Sequence, residues 1–169
     1  MIFKLEIIGF NIESCIIAQA AGAHRIELCD NPGEGGTTPS YGFIKKAREV
    51  LQIELYCMIR PRGGDFFYTD EEFDIMKTDV QTCKQLGCDG VVIGMLNQDG
   101  TVDKERCKKL VELAYPMGVT YQRANILNIQ PISISTYVWH IIITFLFHYL
   151  TFILHFLFTN FLHSFIIIC

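Results

Sequence analysis

The chain has 169 residues, with 14 Lys and Arg against 18 Asp and Glu and a formal net charge of -4. That length allows one ordinary domain with a real core, and that charge excludes broad electrostatic attraction to nucleic acid. Every Lys, Arg, Asp and Glu lies within residues 1–123 and none follows, so the two parts are read separately.

The first apolar run, 3–8, predicts a strand with Glu6 inside it. No signal-peptide pattern opens the chain, because Glu6 and Glu13 interrupt the apolar stretch. Gly22 follows a helical run and predicts its C-terminal cap. Residues 25–29 predict the second strand, with Glu27 and Cys29 on one face. Asp30, Glu34, Gly35 and Gly36 follow it in a loop. The third strand, 53–59, points Tyr56, Met58 and Arg60 one way and Cys57 the other. Arg60, Arg62, Gly63, Gly64 and Asp65 then form a second loop. Thr69 and Glu72 make a capping box for a helix over 70–86, where Phe73, Met76, Val80 and Cys83 share a face. Gly87 predicts the next cap and 90–94 the fourth strand. In a helix over 103–115, Cys107, Leu110, Val111 and Ala114 fall at i, i+3, i+4 and i+7. Gly118 predicts a third cap and 119–122 the fifth strand, which ends at Arg123.

The segments AAGAHRIEL and QLGCDGVVI align Gly22 on Gly87, about two strand–helix units apart. Short strands alternating with helices predict an α/β fold with a parallel sheet. No G-x-G-x-x-G follows the first strand, which weighs against a dinucleotide fold. Glu6 and Glu27 suit a barrel lumen better than a sheet covered on both faces. Residues 1–124 are therefore expected to form a partial TIM-barrel-like (β/α) repeat of about five parallel strands, followed by an apolar helical tail, 125–169.

Loops leaving the C-terminal strand ends form the active face of parallel α/β folds. Arg60, Arg62 and Arg123 sit there with Gly63, Gly64 and Asp65, and guanidinium forks suit carboxylate or phosphate. Glu6 and Glu27 complete that candidate anion site as acid or base. The alternative is that Arg60 and Arg62 pair with Glu27, Glu6 or Asp65 and close the barrel mouth. Alternation turns Glu6, Glu27, Cys29, Met58 and Arg60 to the lumen, and Cys57 to the helices. Seven cysteines, an odd number without a C-x-x-C pair, predict free thiols in a reducing compartment.

RIELCDNPGEGGTTPS (25–40), MIRPRGGDFFYTDEE (58–72), GCDGVVIGMLNQDGTVD (87–103) and VTYQRA (119–124) resemble the CutC copper homeostasis family, over about residues 4–124. The resemblance implies a cytoplasmic TIM-like barrel, often a homo-oligomer, associated with copper tolerance and Cu(I) binding. The family's first strand usually carries a cysteine two residues after the glutamate, where this chain has Ile8. Its fifth strand usually reads VTFHRAFD, whereas this chain reads VTYQRANI, with Gln122 at the histidine and no aspartate.

Cu(I) prefers thiolate, thioether and imidazole, so Cys29, Cys57 and Met58 are the candidate metal residues. His24 lies at the wrong strand end, and Cys83 and Cys88 lie five apart across a helix end without a recognised ligand spacing. Two hypotheses follow. One is a copper-handling protein; the other is a barrel enzyme or binding protein for a small anion held by Arg60, Arg62 and Arg123. No catalytic histidine or nucleophile–base pair is visible for the second.

In the tail, 137–158 is long enough to cross a bilayer, which needs about 20 apolar residues. Tyr137 and Trp139 suit an interface, but no Lys or Arg lies nearer than Arg123. The tail is rich in Ile, Phe, Leu, Thr, Ser, His, Asn and Tyr, residues of A/T-rich codons. Both a membrane-tethering span and translated non-coding sequence are carried forward. His140, His148, His155 and His163 are read as incidental to that bias.

Overall fold

The computed structural model describes residues 4–122, which fall within the first of the chain's two units, Met1–Asn125. Arg123, the candidate span 137–158 and the four tail histidines lie outside the described residues.

Among the described residues, five strands alternate with four α-helices: β1 (Glu6–Gly9), α1 (Ile12–Ala20), β2 (Arg25–Leu28), α2 (Tyr41–Val50), β3 (Glu54–Met58), α3 (Asp70–Gln85), β4 (Gly90–Ile93), α4 (Lys104–Ala114) and β5 (Gly118–Tyr121). A 3-10 turn, Pro32–Glu34, interrupts the loop between β2 and α2. All pairings are parallel and the order is β1-β2-β3-β4-β5. An open doubly wound sheet reverses its strand order at a switch point. The described strands never reverse, so their right-handed crossovers lay every helix on the same face, as in a barrel wall.

Local chemistry sets the boundaries. The side chains of Asn11, Ser40, Thr69 and Asp103 accept hydrogen bonds from the first turns of α1, α2, α3 and α4. Thr69 and Glu72 complete the capping box. Gly22 and Gly87 end α1 and α3 with φ of 93° and 77°, a conformation glycine adopts at little cost. Gly118 does not cap α4, contrary to expectation; it is the first residue of β5. The helix stops earlier because Pro116 has no amide and biases Tyr115 toward extended backbone, seen as its ψ of 133°.

Alternation divides the sheet. Ile26, Leu28, Leu55, Cys57, Val91 and Ile93 belong to the main core, which α1–α4 complete. The opposite face carries a smaller cluster of Cys29, Met58 and Val92, with Phe10 and Tyr56 against it. The Tyr56 ring lies across β4 and β5 where a Cβ on Gly90 or Gly118 would overlap it.

Thr69→Ala removes the hydroxyl that receives the Glu72 amide. It is expected to cost about 1 kcal/mol, read as a lower urea midpoint with an unchanged slope.

Candidate functional site

The inner face, the one away from the helices, is built in layers. Parallel register sets Ile8, Glu27, Tyr56 and Gly90 in one row. Above it, the ladder continues through the Cys29 amide to the Gly9 carbonyl, and Met58 pairs with Val92. Cys29 and Met58 therefore meet in the next layer, both buried. Gly36 closes over them: a Cβ there would lie 3.2 Å from Cys29 Sγ and 3.8 Å from Met58 Cε.

Glu27 is only 9% exposed and accepts a hydrogen bond from Cys29 Sγ at 3.8 Å. Burial raises its pKa above the ordinary carboxylate range, and the nearby Glu6 charge adds to this. Burial, then the Glu27 charge, pushes the Cys29 thiol up to about 12. Glu6 itself forms an ion pair with Arg25, whose guanidinium sits 4.1 Å from the centre of the Tyr56 ring.

At the strand ends, Arg60 joins two loops. It is 5% exposed. Its Nη1 donates to the carbonyls of Glu34 at 2.6 Å and Gly36 at 2.8 Å, and its Nη2 to that of Gly64 at 2.7 Å. Its backbone amide donates to Thr38 Oγ1, and its carbonyl accepts from the Thr38 amide. Glu34 Oε2 accepts from the Gly64 amide, and a side chain on Gly63 would overlap that carboxylate. Among the described residues, only Nε of the guanidinium is left without a hydrogen-bond partner, buried beside Tyr68.

Arg62 holds the second loop to α3. Its Nε donates to Glu72 at 2.6 Å and its Nη2 to Asp65 at 3.0 Å and to the Phe67 carbonyl at 2.8 Å. The Arg62 hydrogen bond lowers the Asp65 pKa; the Thr69 amide, then Arg62, lowers that of Glu72. Among the carboxylates weighed as partners, Asp65 meets Arg62, Glu6 meets Arg25 and Glu27 meets Cys29. Arg60 and Arg62 thus direct most of their donors to the protein itself.

The three candidate metal residues do not form one site. Cys29 and Met58 share the inner face, while Cys57 lies behind the sheet in the main core, because neighbouring strand residues alternate. There Cys57 Sγ stands 3.6 Å from Cys88 Sγ. With Cys83 they form a group of three sulfurs all within 4.8 Å of one another. Hydrogen bonds from Cys57, then Cys83, lower the Cys88 pKa, with Arg48 contributing, and the same bonding with Cys83 and Cys88 raises the Cys57 thiol.

Spacing alone gives no sign that Cys83 and Cys88 meet. The signal lay in the cap: the Cys88 amide donates to the Cys83 carbonyl and the Gly87 amide to that of Lys84. This is the Schellman closure, which brings the residue after the glycine against the one five positions earlier.

A family model described as the CutC family matches residues 3–133. A CutC family protein of Chromobacterium violaceum is 56% identical over 127 residues, 75% of this chain and 51% of that protein. The Homo sapiens relative, named copper homeostasis protein cutC homolog, is 46% identical over 122 residues, 72% of this chain and 45% of that protein. A CutC crystal structure from Streptococcus agalactiae superposes with a TM-score of 0.67 at 36% identity, covering 71% of this chain and 59% of that one. The chain spans about half the length of the curated relatives it matches.

Arg60→Met leaves three loop carbonyls without their donor. It is expected to cost about 3 kcal/mol or more in chemical denaturation, and to speed proteolysis between residues 59 and 69. Glu27→Gln tests the buried carboxyl. The folded state holds the Glu27 proton more tightly than the unfolded chain, so wild-type stability falls as pH rises through the raised pKa. The glutamine variant is expected to be the more stable at neutral pH, with the difference vanishing below the ordinary glutamate range, measured as denaturation midpoints at the two pH values.

Proposed function

The chain belongs to the CutC family, and we propose that it acts in copper homeostasis by binding Cu(I) on the inner face of its sheet, through Cys29 and Met58. One observation carries this reading: a thiol and a thioether, both buried, are packed together with a carboxylate against the thiol. Sulfur donors fit a soft monovalent cation. The human and mouse relatives, named copper homeostasis proteins, support the choice of cargo. Since the chain spans only about half their length, their function enters here as part of the proposal.

A metal is bound by thiolate, so the Cys29 proton must leave. With the thiol pushed to about 12, its loss to solvent is unfavourable at neutral pH. Glu27 Oε1, already the hydrogen-bond acceptor, is placed to take that proton as the metal arrives. The raised Glu27 pKa favours the neutral acid that results. Arg60 positions this layer without touching the metal, because it holds the Gly36 carbonyl and Gly36 closes over both sulfurs. The setting proposed is the cytoplasm, whose reducing conditions suit the six described cysteines, all free. Among the described residues no helix is long and apolar enough to cross a membrane.

Cys29→Ser is expected to lose one equivalent of Cu(I) relative to the unsubstituted chain, titrated without oxygen against a chromophoric chelator. Unchanged stoichiometry would defeat the inner-face assignment. Glu27→Gln is expected to keep the stoichiometry and weaken the affinity at neutral pH.

A further inference from the structure

We infer that Cys57, Cys83 and Cys88 form a second Cu(I) site, three-coordinate and all-sulfur, on the helix-facing side of the sheet. It takes from the preceding proposal only the identity of the metal. Its ligands lie on the opposite face from Cys29, so either site can fail alone.

The first argument is metric. A metal about 2.3 Å from each of three thiolates places the sulfurs about 4 Å apart in a trigonal plane. The observed sulfurs are already close to that spacing, with Cys57 and Cys88 at 3.6 Å and all three within 4.8 Å. A disulfide would require sulfurs about 2.05 Å apart, and these cysteines are free.

The second argument concerns what packing requires. Gly22 and Gly87 occupy matching positions in the internal repeat and end their helices with matching hydrogen bonds. The Ala23 amide reaches the Ala18 carbonyl as the Cys88 amide reaches that of Cys83. The first unit is therefore closed by two alanines where the second carries two thiols. Ile7 holds on the preceding strand the place of Cys57, so aliphatic side chains fill in the first unit the three places that carry thiols in the second.

The third argument is the donor set. Among the described residues no histidine or carboxylate completes this group. Zinc generally takes four ligands in a structural site, whereas three thiolates satisfy a soft monovalent cation. The ligands come from β3, the end of α3 and the turn into β4, so their spacing is fixed by the sheet and the helix cap rather than by a loose loop. Cys88 is the most accessible of the three, at 6% exposed, and marks the entry. As the metal enters, each ligand still held as a thiol releases its proton to solvent, leaving three thiolates around one Cu(I).

The test uses the reduced full chain, loaded with Cu(I) from a chromophoric chelator without oxygen. The double variant Cys83→Ala, Cys88→Ala, which copies the first repeat unit, is expected to lose one equivalent relative to the unsubstituted chain. Cys29→Ser is expected to keep that equivalent, with three sulfurs around the copper by X-ray absorption. A double variant that binds as much copper as the unsubstituted chain overturns the inference, as does a Cys29→Ser chain that binds none. Should the double variant lack its helical circular dichroism signal, the sulfur count in Cys29→Ser decides: three supports the site and fewer overturns it. Loss of copper in the double variant with none lost in Cys29→Ser upholds this site and removes the inner-face one.

Discussion

Cys57 and Met58 are neighbours in β3 and lie on opposite faces of the sheet, because successive strand residues alternate. In a sheet whose helices all pack on one side, that alternation creates two environments with different chemistry. Behind the sheet, the three sulfurs meet one another and the hydrocarbon of the core, with the Arg48 charge near Cys88. On the inner face, sulfur meets a buried carboxyl group, and beyond it the charged loops at the strand ends. A slip of one residue in β3 would exchange the two sets and bury Arg60 among the helices. Strand register is therefore the constraint on which both proposed copper sites depend.

Arg60 shows how the strand ends are held. A buried guanidinium loses its hydration, and that cost is offset only if its donors find partners. Here the partners are backbone carbonyls of two loops, so one side chain fixes the path of both. A lysine could not reproduce this, because its point charge lacks the planar fork that reaches in several directions at once. Arg62 uses the same chemistry nearer the surface, fastening its loop to the first turn of α3. Two closely spaced arginines that resemble a ligand clamp in sequence act largely as loop fasteners.

The strands were legible because short apolar runs separated by glycines and helical periodicity leave few alternatives. Observed strand ends differ from the expected ones by at most three residues. Gly22 and Gly87 were legible as caps; Gly118 was misread because Pro116 had already ended α4. The side to which Cys29, Met58 and Cys57 turn follows from period two. What each group touches is harder to read. Carbonyl partners such as those of Arg60 leave no mark in residue identity. The meeting of Cys83 and Cys88 depends on a helix cap folding the chain back, and only knowledge of the cap geometry would convert that spacing into a contact.

Tyr56 has a consequence for how this sheet tolerates change. Its side chain occupies the volume that a Cβ would take on two glycines of neighbouring strands, Gly90 and Gly118, while Arg25 lies over its ring. The three positions share one space, so substitutions at them cannot be independent. An alanine at either glycine is unfavourable while the ring is present, and acceptable once position 56 is small. Evolutionary drift along this row must therefore proceed through position 56 first, which makes the order of mutations, not only their identity, a property of the fold.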